Sequence, residues 1–237
     1  HFTAPFFNFS FTVGSSNMGP NYLQKIKKRV KPSPSGLFVL CVDPWSMKQP
    51  KGQSETVYDE DQTFFAKQRT QGMSPNIEYL LLRDKKNQPF FQKLFLPKPS
   101  IYELHENGWL QVNYDVPEQE AADNSKWQIH LYTQDTLTFE LAEKRFAALE
   151  KMLHYLDSVG TVVLVRLPTG SDMMKLEMSA FPNFDARIEA VATACNVPYI
   201  NLISESGTYR TVDGNHIYKT ETERLSKRIC DAIQGMK

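Results

Sequence analysis

The sequence predicts an α/β fold with a mostly parallel sheet and one large insertion, on three observations. Two continuous apolar runs, residues 37–42 and 161–167, have the length and composition of strands covered on both faces. Segments with helical spacing of apolar residues alternate with such strands along the chain, the order that gives right-handed parallel crossovers. Between about residues 46 and 130 this alternation stops, and prolines, polar residues and scattered aromatics take over.

Taken in order, residues 6–13 alternate around aromatic and β-branched positions and read as a first strand ending at Gly14. Residues 21–30 place Tyr22, Leu23, Ile26 and Val30 at helical spacing. A Pro/Ser/Gly connection over 31–36 leads into the run 37–42, which stops at Asp43-Pro44-Trp45. Inside the insertion only short periodic pieces occur, at 77–83, 92–96 and 108–114, the last with the alternation of a hairpin strand. A structureless loop of this length is unusual in a compact domain, so the insertion is expected to be elaborated and functional. Residues 137–156 carry apolar side chains at 137, 141, 146, 149, 152, 153 and 156, the pattern of one long amphipathic helix stopped at Gly160. The run 161–167 is closed by Pro168. A helix over 184–195 with Ile188, Val191, Ala192 and Cys195 on one face follows, then a short strand at 197–202. A terminal helix over 220–233 turns Leu225, Ile229 and Ile233 inward. The whole reads as a single domain over 1–237 with the insertion at about 46–130.

Composition excludes several functions. Lys+Arg and Asp+Glu are both 27, so net charge is zero, and nucleic acid is not expected as a partner, since binding its phosphates leaves a basic surplus. The cluster Lys25, Lys27, Lys28, Arg29 and Lys31 reads as the solvated face of a helix. The 3 cysteines, Cys41, Cys195 and Cys230, have no CxxC spacing and give no disulfide framework, so they are expected as buried free thiols rather than metal ligands. No glycine pattern for a nucleotide phosphate or dinucleotide is present, and no cofactor is expected. No apolar stretch is long enough to span a membrane, and no signal peptide is visible. The chain enters a strand-like run almost directly after His1, the pattern of a piece whose upstream leader or anchor has been removed.

Two motifs carry chemistry. Gly14-Ser15-Ser16-Asn17 follows the first predicted strand, so a serine there sits in a sharp turn at a helix start, where backbone N–H groups are available to an oxyanion. Asp213-Gly214-Asn215-His216 places an acid three residues before an imidazole, a spacing that lets the carboxylate orient and charge-balance the ring. Among the five histidines, His1, His105, His130 and His154 lack such a partner, leaving His216 as the base. Ser16, Asp213 and His216 together form a Ser-His-Asp set in the chain order Ser, Asp, His. Both motifs and Asp43 fall just after predicted strands, on the carboxyl edge where sites of such sheets lie.

On these residues the chain resembles the SGNH (GDSL-like) hydrolase superfamily. Ser16 matches the family's nucleophile, Ser15 stands where the family has aspartate, and Asp213 and His216 match the acid and base. Gly14-Ser15-Ser16, Val42-Asp43-Pro44-Trp45, Val165-Arg166-Leu167-Pro168 and the tail through Ile217 resemble the branch linked to acylation and deacylation of bacterial surface polysaccharides. The resemblance covers roughly residues 5–47 and 130–235. It implies a flavodoxin-like three-layer α/β/α sandwich, an O-acyl esterase or acyltransferase acting on carbohydrate, and an extracytoplasmic location. The family's Gly-x-Asn-Asp block has its counterpart at 41–45, which holds no Asn. The oxyanion donors are therefore expected from the Ser16 N–H, Asn17 or Asn76. A catalytically weak or inactive binding or assembly component is the alternative. Tyr102, Trp109, Tyr114 and Trp127 of the insertion are expected either to stack on sugar rings or to form its own small core.

Overall fold

The computed structural model describes residues 6–10, 18–52 and 102–236. The chain divides into two compact units, one built from Met18–Thr56 and Val116–Lys237, the other from Phe2–Asn17 and Val57–Asp115.

The larger unit is an α/β structure with a three-stranded parallel sheet and a separate two-stranded antiparallel one. Helix α1, Pro20–Arg29, starts with proline at its first position and buries Leu23 and Ile26. Its basic residues Lys27, Lys28 and Arg29 are exposed in the last turn, where cations oppose the helix dipole. Strand β1, Leu37–Cys41, leads to a 3-10 turn, Pro44–Met47, and to the short strand β2, Lys48–Pro50. After the insertion come helix α2, Glu118–Thr138, strand β5, Phe139–Leu141, helix α3, Glu143–Asp157, and strand β6, Thr161–Arg166. Helices α4, Ser171–Ala180, and α5, Phe184–Ala194, strand β7, Tyr199–Asn201, and helix α6, Thr222–Gln234, complete it.

β6 is the central strand, parallel to β1 on one side and to β7 on the other. Val163 and Val165 turn to one face and pack with Ile200, Leu202 and Tyr209 against Leu225 and Ile233 of α6. Val162 and Leu164 turn to the other and are equally buried. β1, expected to be covered on both faces, has no fully buried residue, and Val39 and Cys41 are exposed. Among the described residues it pairs only with β6, and one-sided pairing covers a strand less completely. The expectation of three buried thiols holds only for Cys195; Cys230 is half-buried.

The single helix expected over 137–156 is two helices with a strand between them. Phe139-Glu140-Leu141 pairs antiparallel with Pro50-Gln49-Lys48. Lys51 N–H donates to Thr138 O at 2.8 Å and Ala142 N–H to Met47 O at 2.9 Å, closing the ladder at both ends. The spacing 137, 141 fits a helix, but the alternation Phe139, Glu140, Leu141 fits a strand equally, and a partner about 90 residues away decides between them. Helix α2 also occupies the C-terminal part of the span expected as irregular insertion, and α4 lies where no helix was expected.

In the smaller unit, β3, Tyr102–Leu104, and β4, Leu110–Val112, form an antiparallel hairpin, as the alternation over 108–114 suggested. Gly108 takes φ +81°, and its N–H donates to His105 O at 2.9 Å. Residues 6–10, expected to open the first strand, are irregular. The Asn8 side chain accepts from Ser10 N–H at 2.9 Å, a local bond that competes with strand pairing. Trp109 and Tyr114 are exposed, so they are not the buried centre of an insertion core, and Trp109 stacks on His105 at 4.7 Å. Trp127 is exposed on α2 in the larger unit. No helix among the described residues is long and apolar enough to cross a membrane.

Candidate functional site

Beyond β7 the chain makes a 3-10 turn, Ile203–Glu205, and then a small hairpin closed by the bridge Thr211↔Ile217. Asp213 sits at the head of that hairpin and fixes it. Its Oδ1 accepts from Asn215 N–H at 3.0 Å and His216 N–H at 2.8 Å. Gly214 between them takes φ +82°, a conformation that favours glycine, and donates its N–H to Thr211 Oγ1 at 3.0 Å. Val212 N–H donates to His216 O at 2.9 Å. The other carboxylate oxygen, Oδ2, faces His216 Nδ1 at 2.8 Å.

One carboxylate thus holds both the backbone and the ring of the same turn. Burial of Asp213 would raise its carboxyl pKa. The His216 ring bond, the His216 charge and the two backbone donors outweigh burial and hold it below the ordinary value. The bond to Asp213 raises the His216 imidazole above its ordinary value, against burial, which lowers it. The Asp213 side chain is 21% exposed and that of His216 68%. His216 Nε2 has no protein partner among the described residues and is the ring nitrogen left for proton transfer.

Asp213 was expected just after a strand of the parallel sheet, but β7 ends at Asn201 and the 3-10 turn lies between them. The Asp213–His216 turn reaches the carboxyl end of β6 by a close backbone contact instead. Gly170 N–H, in the loop after β6, donates to Gly214 O at 2.7 Å. A Cβ on Gly170 would lie 2.9 Å from Gly214 O and 3.1 Å from its Cα, so only glycine fits. Thr169 N–H to Ser206 Oγ at 3.0 Å and Gly207 N–H to Thr169 O at 2.8 Å extend the same attachment. Gly170→Ala is therefore expected to displace the turn. It should lower the reactivity of the His216 site about tenfold while costing on the order of 1–3 kcal/mol by overpacking. Thermal unfolding set beside a rate assay reads both effects; an unperturbed variant would show that the contact is not needed.

Helix α2 supports the turn from the other side. Ser125 packs beside Gly214, and two turns further along the same face the Tyr132 hydroxyl accepts from Asn215 Nδ2 at 3.4 Å. Tyr132 meets Trp45 edge-on at 4.2 Å. Burial first, then the carboxylate charges of Asp43, Asp213 and Asp135, push its phenol up to about 12, so it keeps its proton at neutral pH. Asp43, after β1, accepts from Ser46 N–H at 2.9 Å and caps the 3-10 turn. Sequence reading missed Tyr132 and Gly170, because each acts through a partner remote in the chain, and Thr211, whose partner Gly214 is only three residues away, because a lone threonine before a turn carries no distinct signal. Gly14, Ser15, Ser16, Asn17 and Asn76 lie outside the described residues.

A thiol-imidazole pair also exists, Cys195 Sγ to His154 Nε2 at 3.9 Å, but burial raises the Cys195 thiol, the opposite of what a nucleophile needs. Among the described residues no group of three His, Cys, Asp or Glu side chains is placed to hold a metal ion. No family model, curated protein or solved structure matches the chain.

Proposed function

We propose that the protein is a serine-dependent O-acyl esterase or acyltransferase of the SGNH type, acting on acyl, acetyl-type esters of carbohydrate. The observation that carries this reading is the Asp213–His216 pair, 2.8 Å from Oδ2 to Nδ1, with no partner on Nε2 among the described residues. Ser16 Oγ attacks the ester carbonyl carbon while His216 Nε2 takes the hydroxyl proton. The tetrahedral intermediate collapses, and His216 returns that proton to the departing sugar oxygen. The acyl group now sits on Ser16. Water or a second sugar hydroxyl then attacks it, activated by the same imidazole, and Ser16 leaves with its proton restored. Asp213 holds the ring tautomer and balances the imidazolium charge. The Ser16 N–H, with Asn17 or Asn76, supplies the oxyanion donors in this reading. A flavodoxin-like sandwich and an extracytoplasmic location belong to the same proposal.

A second reading, a polysaccharide-binding or assembly component without turnover, is favoured by residues 41–45, the segment that corresponds to the family's Gly-x-Asn-Asp block and holds no Asn; its Asp43 carboxylate accepts from Ser46 N–H and caps the 3-10 turn.

Labelling with a fluorophosphonate, followed by intact mass and peptide mapping, separates the two. The expected result is one adduct on Ser16, abolished in His216→Ala and in Ser16→Ala. A folded protein that takes no label while a serine esterase control does would establish the second reading. An adduct on Ser15 would move the nucleophile by one residue.

A further inference from the structure

A cleft of about 390 Å³ opens against the Asp213–His216 turn, lined by Glu118, Ala121, Ala122, Ser125, Arg210 and Thr211. Its volume lies in the range of ligand sites. The sequence makes the space: where α2 faces the strand segment before the turn, it carries two alanines and a serine. Ser125 turns its hydroxyl back to Ala121 O at 2.7 Å.

Among the described residues the cleft's two charged side chains have no ion-pair partner. Arg210 donates one guanidinium N–H to Val116 O at 2.5 Å and lies over the Tyr218 ring at 4.1 Å. Tyr218 N–H donates to Arg210 O at 2.8 Å, and Tyr218 is buried with Val116 and Ala121, so the guanidinium rests on a fixed platform. No carboxylate pairs with Arg210 among the described residues, and Glu118 has no cationic partner there either. A guanidinium positioned in this way keeps a planar set of donors for a carboxylate, and an unpaired glutamate accepts from hydroxyls. Thr211, which bonds Gly214 N–H, and Ser125, which touches Gly214, are shared between the cleft wall and the turn.

We propose that this cleft is a substrate subsite for a carboxylate-bearing sugar, with the sugar carboxylate on Arg210 and ring hydroxyls on Glu118. The inference rests on the carbohydrate esterase reading and narrows its substrate to acidic glycans.

The test is NMR titration of the ¹⁵N-labelled protein with D-glucuronate and, in parallel, D-glucose. Glucuronate is expected to shift Arg210 Nε–H and the Thr211 amide, glucose to leave them in place, and Arg210→Gln to weaken glucuronate roughly tenfold or more. Equal response to both sugars, or glucuronate shifts confined to other regions, overturns the proposal. The wild-type comparison decides the matter should Arg210→Gln unfold. Ser16 labelling without glucuronate binding removes the subsite and leaves the esterase. Glucuronate binding without Ser16 labelling overturns the catalytic reading and its substrate role, and leaves a sugar-binding cleft.

Discussion

Asp213→Asn is expected to reduce ester turnover by about 10⁴-fold while leaving the protein folded. The asparagine Oδ1 can still accept from the Asn215 and His216 N–H groups, so the turn keeps its shape. The group facing His216 Nδ1, however, becomes an N–H donor. Nδ1 must then accept, the ring proton moves to Nε2, and the nitrogen that should take the serine proton already carries one. The pH profile gives an independent check. His216 works as a base only when neutral, and Asp213 raises its pKa. The acid limb of kcat/KM in the wild type should therefore lie above about pH 6.5, the ordinary imidazole value, and residual activity in the variant should have its limb at lower pH. Measuring kcat and KM for an aryl acetate from pH 5 to 9, with circular dichroism as the folding control, tests both. Unchanged turnover, or an unmoved limb, removes Asp213 from catalysis.

The parts of this fold legible in the sequence are those whose signal is local and uninterrupted. The runs at 37–42 and 161–167 mark β1 and β6 because consecutive apolar residues of that length fit few other structures. The spacing of Leu23 and Ile26, and of Leu225 and Ile233, marks α1 and α6 in the same way. Helix α2 was hidden because it buries only Ala121 in its own unit's core and leaves Trp127, Leu131 and Leu137 exposed, so no apolar stripe announces it. Helix α4 was hidden because its buried face holds Glu177 beside Met173, and a charge breaks the stripe that pattern reading follows. The Asp213–His216 pair was legible since three residues bring acid and ring together in one turn. The supports of that turn, Gly170 and Tyr132, lie 44 and 83 residues away from Gly214 and Asn215 respectively, and only the folded chain joins them.

Glu177 itself carries the largest expected effect on stability. Its carboxylate pairs with Arg166, the last residue of β6, and accepts from Trp45 Nε1 at 2.5 Å. Arg166 is 2% exposed and Glu177 3%, and among the described residues the other acid paired with the guanidinium is Asp185, at 3.3 Å. Burial raises the Glu177 carboxyl pKa above its ordinary value, and the Arg166 guanidinium opposes that rise without cancelling it. Glu177→Ala removes the buried counter-charge and strands the indole N–H as well. The expected cost is about 3–5 kcal/mol, a fall in Tm on the order of 10 °C for a unit of this size. Arg166→Met combined with Glu177→Met should recover part of that loss, because both charges leave together while the indole N–H stays unpaired at about 1–3 kcal/mol. A single variant that melts within about 2 °C of wild type would show that the pair is solvated in solution. The same comparison bears on the site, since Arg166 immediately precedes the loop whose Gly170 holds Gly214. If the pair anchors that loop, the single variant should lose Ser16 labelling rate below its melting temperature and the double variant should regain it. Equal labelling rates in all three proteins would confine Glu177 to the stability of the fold.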